Sequence, residues 1–178
     1  MNAHAPRTLV ITGFMCAGKT TVARALARQL HCEMVDLDDR IVEHEQRTIA
    51  DLIKHEGEAR FRQAETAALR SVLETGPARI IALGGGAWTI ERNRQMIDEH
   101  DCITIWLDAP FELCWSRIMQ DQQLRPLAPD PQSTHKLYTE RQHYYKLATL
   151  RINATEDKSA ENLAVEIINA LSLERLIN

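Results

Sequence analysis

Apolar runs and helical spacings alternate along the whole chain, and that alternation predicts its elements. Residues 8–12 (TLVIT) form a continuous apolar run of strand length and read as a buried strand. Val22, Leu26 and Leu30 then recur in steps of four, the spacing of one helix face. Residues 33–36 (EMVD) read as a second, short strand. Helical segments follow over about 39–45, 48–55 and 57–73, the last placing Phe61, Ala64, Ala68 and Val72 on one side. Residues 79–83 (RIIAL) are a third strand ended by Gly84, Gly85 and Gly86, and residues 102–107 (CITIWL) a fourth. Pro110 suits a first helical turn and opens a helix with Phe111, Cys114, Trp115 and Ile118 predicted inward. A helix to about Leu147, a fifth strand over 149–152 and an amphipathic helix carrying Leu163, Ile167 and Leu171 complete the pattern.

Strands separated by helices imply parallel pairing through right-handed crossovers. The predicted fold is therefore α/β, a three-layer sandwich whose five-stranded parallel sheet is flanked by helices, as one domain over residues 1–178. Ligands of such sheets bind outside the carboxyl ends of the strands. Residues 121–132 (DQQLRPLAPDPQ) carry three prolines and no periodicity, which predicts a mobile loop.

Chemistry enters with residues 13–20, GFMCAGKT, which fit G-x-x-x-x-G-K-[ST] between a predicted strand and a predicted helix. In that context glycines let backbone N–H groups converge on phosphate oxygens, and the helix N-terminus adds positive potential. Lys19 is placed to reach the β- and γ-phosphates, and the Thr20 hydroxyl to ligate Mg²⁺. GTPases, ATPases and small-molecule kinases share this loop. No NKxD guanine-reading motif occurs, and the acidic stretch VDLDDR follows the second strand directly, which favours a kinase whose acceptor approaches there. Alternation along an extended segment sends Asp36 and Asp38 to one side, one for the metal's hydration shell and one for an acceptor hydroxyl. Asp39 is expected to point elsewhere and open the next helix.

Composition narrows the partners. The net charge of -4 gives no electrostatic reason to expect nucleic acid or an anionic membrane. No apolar run reaches the roughly 18 residues of a bilayer span, and MNAHAPRTLV lacks the regions of a signal peptide. Cys16, Cys32, Cys102 and Cys114 form no CxxC pair, so buried thiols are expected in a reducing cytoplasm. A monomer is expected.

Taken in order and spacing, GFMCAGKT, VDLDD (35–39), GEARFRQAE (57–65), LGGG (83–86), RPL (125–127) and RQHYYKLA (141–148) resemble the shikimate kinase family over about residues 8–171. The resemblance implies a nucleoside-monophosphate-kinase-like P-loop domain with a lid over about 120–132 and a substrate-binding helical segment over about 39–65. It implies transfer of the ATP γ-phosphate to the 3-hydroxyl of shikimate, with Mg²⁺. Gly13, Ala17, Gly18, Lys19, Thr20 and Thr21 match nucleotide contacts, Arg117 a residue stacking on adenine, and Arg125 the lid arginine. Thr20 and Asp36 match the metal position, and Asp38 the hydroxyl-binding base. Arg62 and Arg141 match the carboxylate grip, a task suited to a planar guanidinium fork. Phe61 and the Gly84, Gly85 and Gly86 backbone would lie beside the ring. Lys19, Asp38 and Arg125 would then be the catalytic set. As an alternative to its ligand role, Arg62 pairs along its helix with Glu58 or Glu65. Cys16, Ile53, Ala128 and His143 depart from the family's usual residues, leaving lid packing and substrate preference open. The competing functions are a kinase for another polyol acid such as gluconate, and a nucleotide-binding relative that no longer catalyses.

Overall fold

A computed structural model describes residues 7–76, 78–121 and 127–177, with the backbone alone from 173. Five strands pair in parallel: β1 (Leu9–Thr12), β2 (Met34–Asp36), β3 (Ile80–Ala82), β4 (Ile103–Asp108) and β5 (Leu150–Asn153), in the spatial order β2-β3-β1-β4-β5. Leu9 of the central β1 stands opposite Ile80 on one side and Ile103 on the other. Strands covered on both faces lack polar alternation, and Leu9, Val10 and Ile11 are all buried. This all-parallel sheet flanked by helices is the predicted architecture.

Helix α1 (Lys19–Leu30) follows β1 and packs on the last helix, α7 (Ala160–Ile177). α2 (Leu37–Glu45) packs on α3 (Ile49–Thr75). Thr48 caps α3 by accepting from Asp51 N at 3.0 Å. The two helical segments predicted on either side of residue 56 are the two limbs of α3, which is broken at Gly57 (φ 85°, ψ 166°). Arg60, past the break, reaches Glu45 at 2.8 Å and Glu56 at 3.4 Å, tying the limbs to α2. Helices α5 (Phe111–Gln120) and α6 (Pro131–Tyr145) bracket the predicted lid. Asp130 caps α6 with Pro131 in its first turn, so the intervening segment is two residues shorter than predicted. Trp115 is half-buried and stacked on Phe111, at 6.2 Å between centroids, rather than fully inward.

One stretch departs from the expectation altogether. A short 3₁₀ turn (Ala87–Thr89) and helix α4 (Glu91–Glu99) occupy a region with no predicted element. Only Met96 and Ile97 in α4 are apolar, so no hydrophobic face is visible. A buried Asn93 anchors it instead. Its Nδ2 donates to Ala87 O at 2.9 Å and its Oδ1 accepts from Thr66 at 2.9 Å, which fixes the chain just after the glycine loop. Asn93→Ala leaves both partners unpaired, and is expected to lower stability by about 1–3 kcal/mol. Thermal melts followed by circular dichroism should register a fall of several degrees.

Candidate active site

The loop after β1 and the start of α1 build a nest for an anion. Gly18 (φ 99°) precedes Lys19 at the helix N-terminus, and Val22 N donates to Gly18 O at 2.9 Å. Lys19 is buried, its ammonium donating to Phe14 O at 2.8 Å. Burial pushes Lys19 below its ordinary value, opposed chiefly by the Asp38 carboxylate. The Thr20 hydroxyl donates to Asp36 Oδ2 in a short contact. Arg117 Nη1 donates to Cys16 O at 3.1 Å, so α5 brings this guanidinium over the loop.

Beside the nest lies a cavity of about 650 Å³, within the range of small-molecule sites. It is larger than one six-membered ring acid fills. Asp38, Phe61, Arg62, Glu65, Gly84, Gly85, Gly86 and Arg141 all line it. Arg141 is buried rather than a solvated helix residue. Tyr145, four residues on and on the same face of α6, donates to Gly85 O at 2.6 Å, and Trp88 Nε1 donates to Tyr144 O at 2.9 Å. These two bonds pin the glycine loop to α6. Arg62 Nη1 donates to Glu65 Oε2 at 2.7 Å and Nη2 to Glu58 Oε1 at 2.9 Å, so the helix pairing expected as an alternative coexists with a place in the cavity. Its Cζ lies 4.9 Å from the Phe61 ring centroid.

The glycines are required by what surrounds them. A Cβ on Gly86 would fall 2.5 Å from both terminal nitrogens of Arg62, and one on Gly84 2.6 Å from Glu65 Oε1 and 2.7 Å from Asp38 Oδ1. A Cβ on Gly85 would lie 3.6 Å from Arg141 Nη1. The two guanidinium groups therefore flank neighbouring glycines on one wall.

The expected geometry of the acidic stretch needs correction. Helix α2 starts at Leu37, so Asp38 sits in a helical first turn and not on an extended segment. The capping residue is Asp36, whose Oδ1 accepts from Asp38 N at 2.9 Å; Asp39 does not open the helix. Asp39 is exposed in that first turn, at the edge of the cavity. The cap and first turn of α2, not strand alternation, bring Asp36 towards Thr20 and Asp38 towards Gly84. A hydroxyl and one carboxylate suit Mg²⁺, which keeps most of its shell as water and phosphate oxygen. Among the described residues no cluster of three or more His, Cys, Asp or Glu forms a metal site. Arg125 lies outside the described residues.

Comparison with known proteins accords with this geometry. The shikimate kinase family model matches residues 15–172. A shikimate kinase of Geobacter sulfurreducens is 40% identical over 164 residues, covering 90% of this chain and 88% of that protein. One from Ruegeria pomeroyi is 35% identical over 172 residues, covering 95% and 87%. The solved shikimate kinase from Acinetobacter baumannii in complex with shikimate superposes with a TM-score of 0.87 at 32% identity, over 96% of this chain and 95% of that one.

The chain belongs to the shikimate kinase family.

Its departures from the shikimate kinase pattern now have places. Cys16 stands where glycine is common and adopts φ 58°, left-handed backbone that costs a residue with a Cβ about 1–2 kcal/mol. Its thiol is free and half-buried, while Cys102 and Cys114 are buried, with burial pushing each thiol up to about 11. Ile53 lines the cavity, Ala128 packs against the core, and His143 lies against Tyr144 with centroids 3.8 Å apart. Sequence reasoning missed Tyr145 and Asn93 as supports. Only the four-residue step from Arg141 to Tyr145 offered a signal. Removing the buried cation of the nest by Lys19→Met should weaken ATP binding at least about tenfold, as for loss of a charge-assisted bond. Titration calorimetry measures it, with circular dichroism confirming an unchanged fold.

Proposed function

We propose that this chain, as a single kinase domain, is an ATP-dependent shikimate kinase that phosphorylates the 3-hydroxyl of shikimate, giving shikimate 3-phosphate and ADP. The observation that carries the proposal is the joint placement of Arg62 and Arg141 beside Gly85 and Gly86, in the cavity that also holds Asp38. Shikimate is a compact ring bearing one carboxylate and three hydroxyls. Two guanidinium forks for the anion and a carboxylate for hydroxyls match that acceptor.

In this reading Arg62 and Arg141 orient the ring by its carboxylate, with Phe61 packed alongside. Gly13, Ala17, Gly18 and Thr21 hold the nucleotide phosphates with backbone N–H and hydroxyl groups, Lys19 reaches the β- and γ-phosphates, and Arg117 packs on adenine. Thr20 and Asp36 would hold Mg²⁺, which would supply charge neutralisation at the phosphates. The 3-hydroxyl oxygen attacks the γ-phosphorus, its proton passes to Asp38, and the bond from phosphorus to the ADP oxygen breaks. Phosphoryl transfer relies on in-line positioning and charge stabilisation, and a placed base contributes about 10²–10⁴-fold. Arg125 closes over the phosphates from the lid and keeps water away.

No described helix is long and apolar enough to cross a membrane. A monomer acting in the cytoplasm, with ATP and shikimate as its partners, is part of the proposal.

An ADP-release assay with shikimate, with gluconate and with no acceptor separates the alternatives. Turnover confined to shikimate supports the proposal; turnover with gluconate in its place, or with neither acceptor, refutes it. Gly86→Ala displaces the Arg62 guanidinium and is expected to raise KM for shikimate about tenfold or more, in the range of a lost hydrogen bond to a charged group. KM for ATP should stay within about twofold, since uniform binding of the acceptor alone is affected. Arg125→Ala should do the reverse, lowering kcat far more than it weakens shikimate binding. An unchanged kcat excludes the lid role.

A further inference from the structure

One side chain in the cavity wall has no task in the chemistry above. Glu65 is fully buried, and its two oxygens differ. Oε2 accepts from Arg62, whereas Oε1 is buried with no hydrogen-bond partner among the described residues. A buried polar atom left unsatisfied costs about 1–3 kcal/mol, more when charged. The surroundings of Oε1 show how that cost is avoided. It lies against the same face of Gly84 as Asp38 Oδ1, each within 2.7 Å of where a Cβ would stand. Two ionised carboxylates withdrawn from water repel one another. A single proton between them turns the repulsion into a strong O–H···O⁻ hydrogen bond.

We propose that Glu65 is a positioning residue that retains its own proton and donates it from Oε1 as a hydrogen bond to Asp38 Oδ1. The role given to Asp38 rests on the kinase activity proposed above. Glu65 then meets both neighbours at once: its hydroxyl fixes the Asp38 carboxylate, and its carbonyl oxygen accepts from Arg62. Asp38 is left an ionised acceptor for the ring hydroxyl. Among the described residues, the charged groups facing Glu65 are Arg62 on its own helix, Asp38 from α2 and Arg141 from α6, while the Gly84 loop supplies none. Burial pushes the Glu65 carboxyl above the ordinary glutamate value; Arg62 opposes this and Asp38 adds to it.

Glutamine mimics a protonated glutamate, keeping one donor for Asp38 and one acceptor for Arg62, and alanine keeps neither. Glu65→Ala should lower kcat/KM for shikimate about 10–100-fold, the range for a hydrogen bond to a charged group. Glu65→Gln should restore most of that loss. Infrared spectra of the ligand-free protein should show the C=O stretch of a neutral carboxylic acid at neutral pH, assigned by isotope-labelled glutamate and absent from Glu65→Gln. A raised acid pKa contributes stability at low pH that is lost as pH rises through it. The wild type should therefore lose stability relative to Glu65→Gln as pH climbs above the ordinary glutamate range. A Glu65→Gln variant as impaired as Glu65→Ala, or a missing neutral-acid band, overturns the proposal. If the wild type does not turn over shikimate, the activity assignment fails, and the infrared band alone decides whether Glu65 holds a proton.

Discussion

Parallel pairing is the constraint from which the rest follows. Because all five strands run the same way, each delivers its carboxyl end to one edge of the sheet. The turns leaving β1, β2 and β3 carry the phosphate nest, the Asp36–Asp38 stretch and the glycine loop, and those three strands are neighbours in the order β2-β3-β1. Pieces some 70 residues apart in the chain thus meet without any special long-range contact (Gly13 and Gly84 lie at the ends of adjacent strands). The buried apolar strands supply the rigidity, and the charged groups of the site gather at the rim.

At that rim, charge is crowded and sorted. Lys19, Arg62 and Arg141 are largely buried, as are Glu65 and part of Asp38. Charges withdrawn from water are tolerated only with partners, and Lys19, Arg62 and Glu65 each have one at hydrogen-bond distance. The glycine loop makes the sorting possible. Side chains on Gly84 or Gly86 would push the carboxylates or the guanidinium out of register. The bonds made by Tyr145 and Trp88 tie that loop to α6, while Asn93 holds the chain just beyond it, so the wall is fixed from two directions.

The layers of the structure differed in how well they could be read beforehand. β1 and the phosphate nest were legible because their signals are contiguous: an apolar run, then a motif with its glycines and lysine in fixed order. Arg62 and Arg141 were legible as family positions, but their convergence is a tertiary property. α4 was not legible, because a buried polar residue, Asn93, does the anchoring that apolar periodicity would otherwise announce. The misjudged direction of Asp38 had a local cause. A cap at Asp36 starts the helix at Leu37, where the alternation required extended chain through Asp38, converting a period of two into a helical turn. Glu65 was legible only as a helix partner for Arg62, three residues along. Its burial depends on what packs above it, which no spacing encodes.

Asp36 joins two parts of the molecule with one functional group. Its Oδ1 secures the first turn of α2, while its Oδ2 is linked to Thr20 at the head of α1. Any replacement at this position therefore perturbs the head of α1 and the start of α2 together, and a drop in turnover there is not diagnostic of either. Thr20 makes the cleaner probe, because trimming its hydroxyl leaves the Oδ1 cap intact.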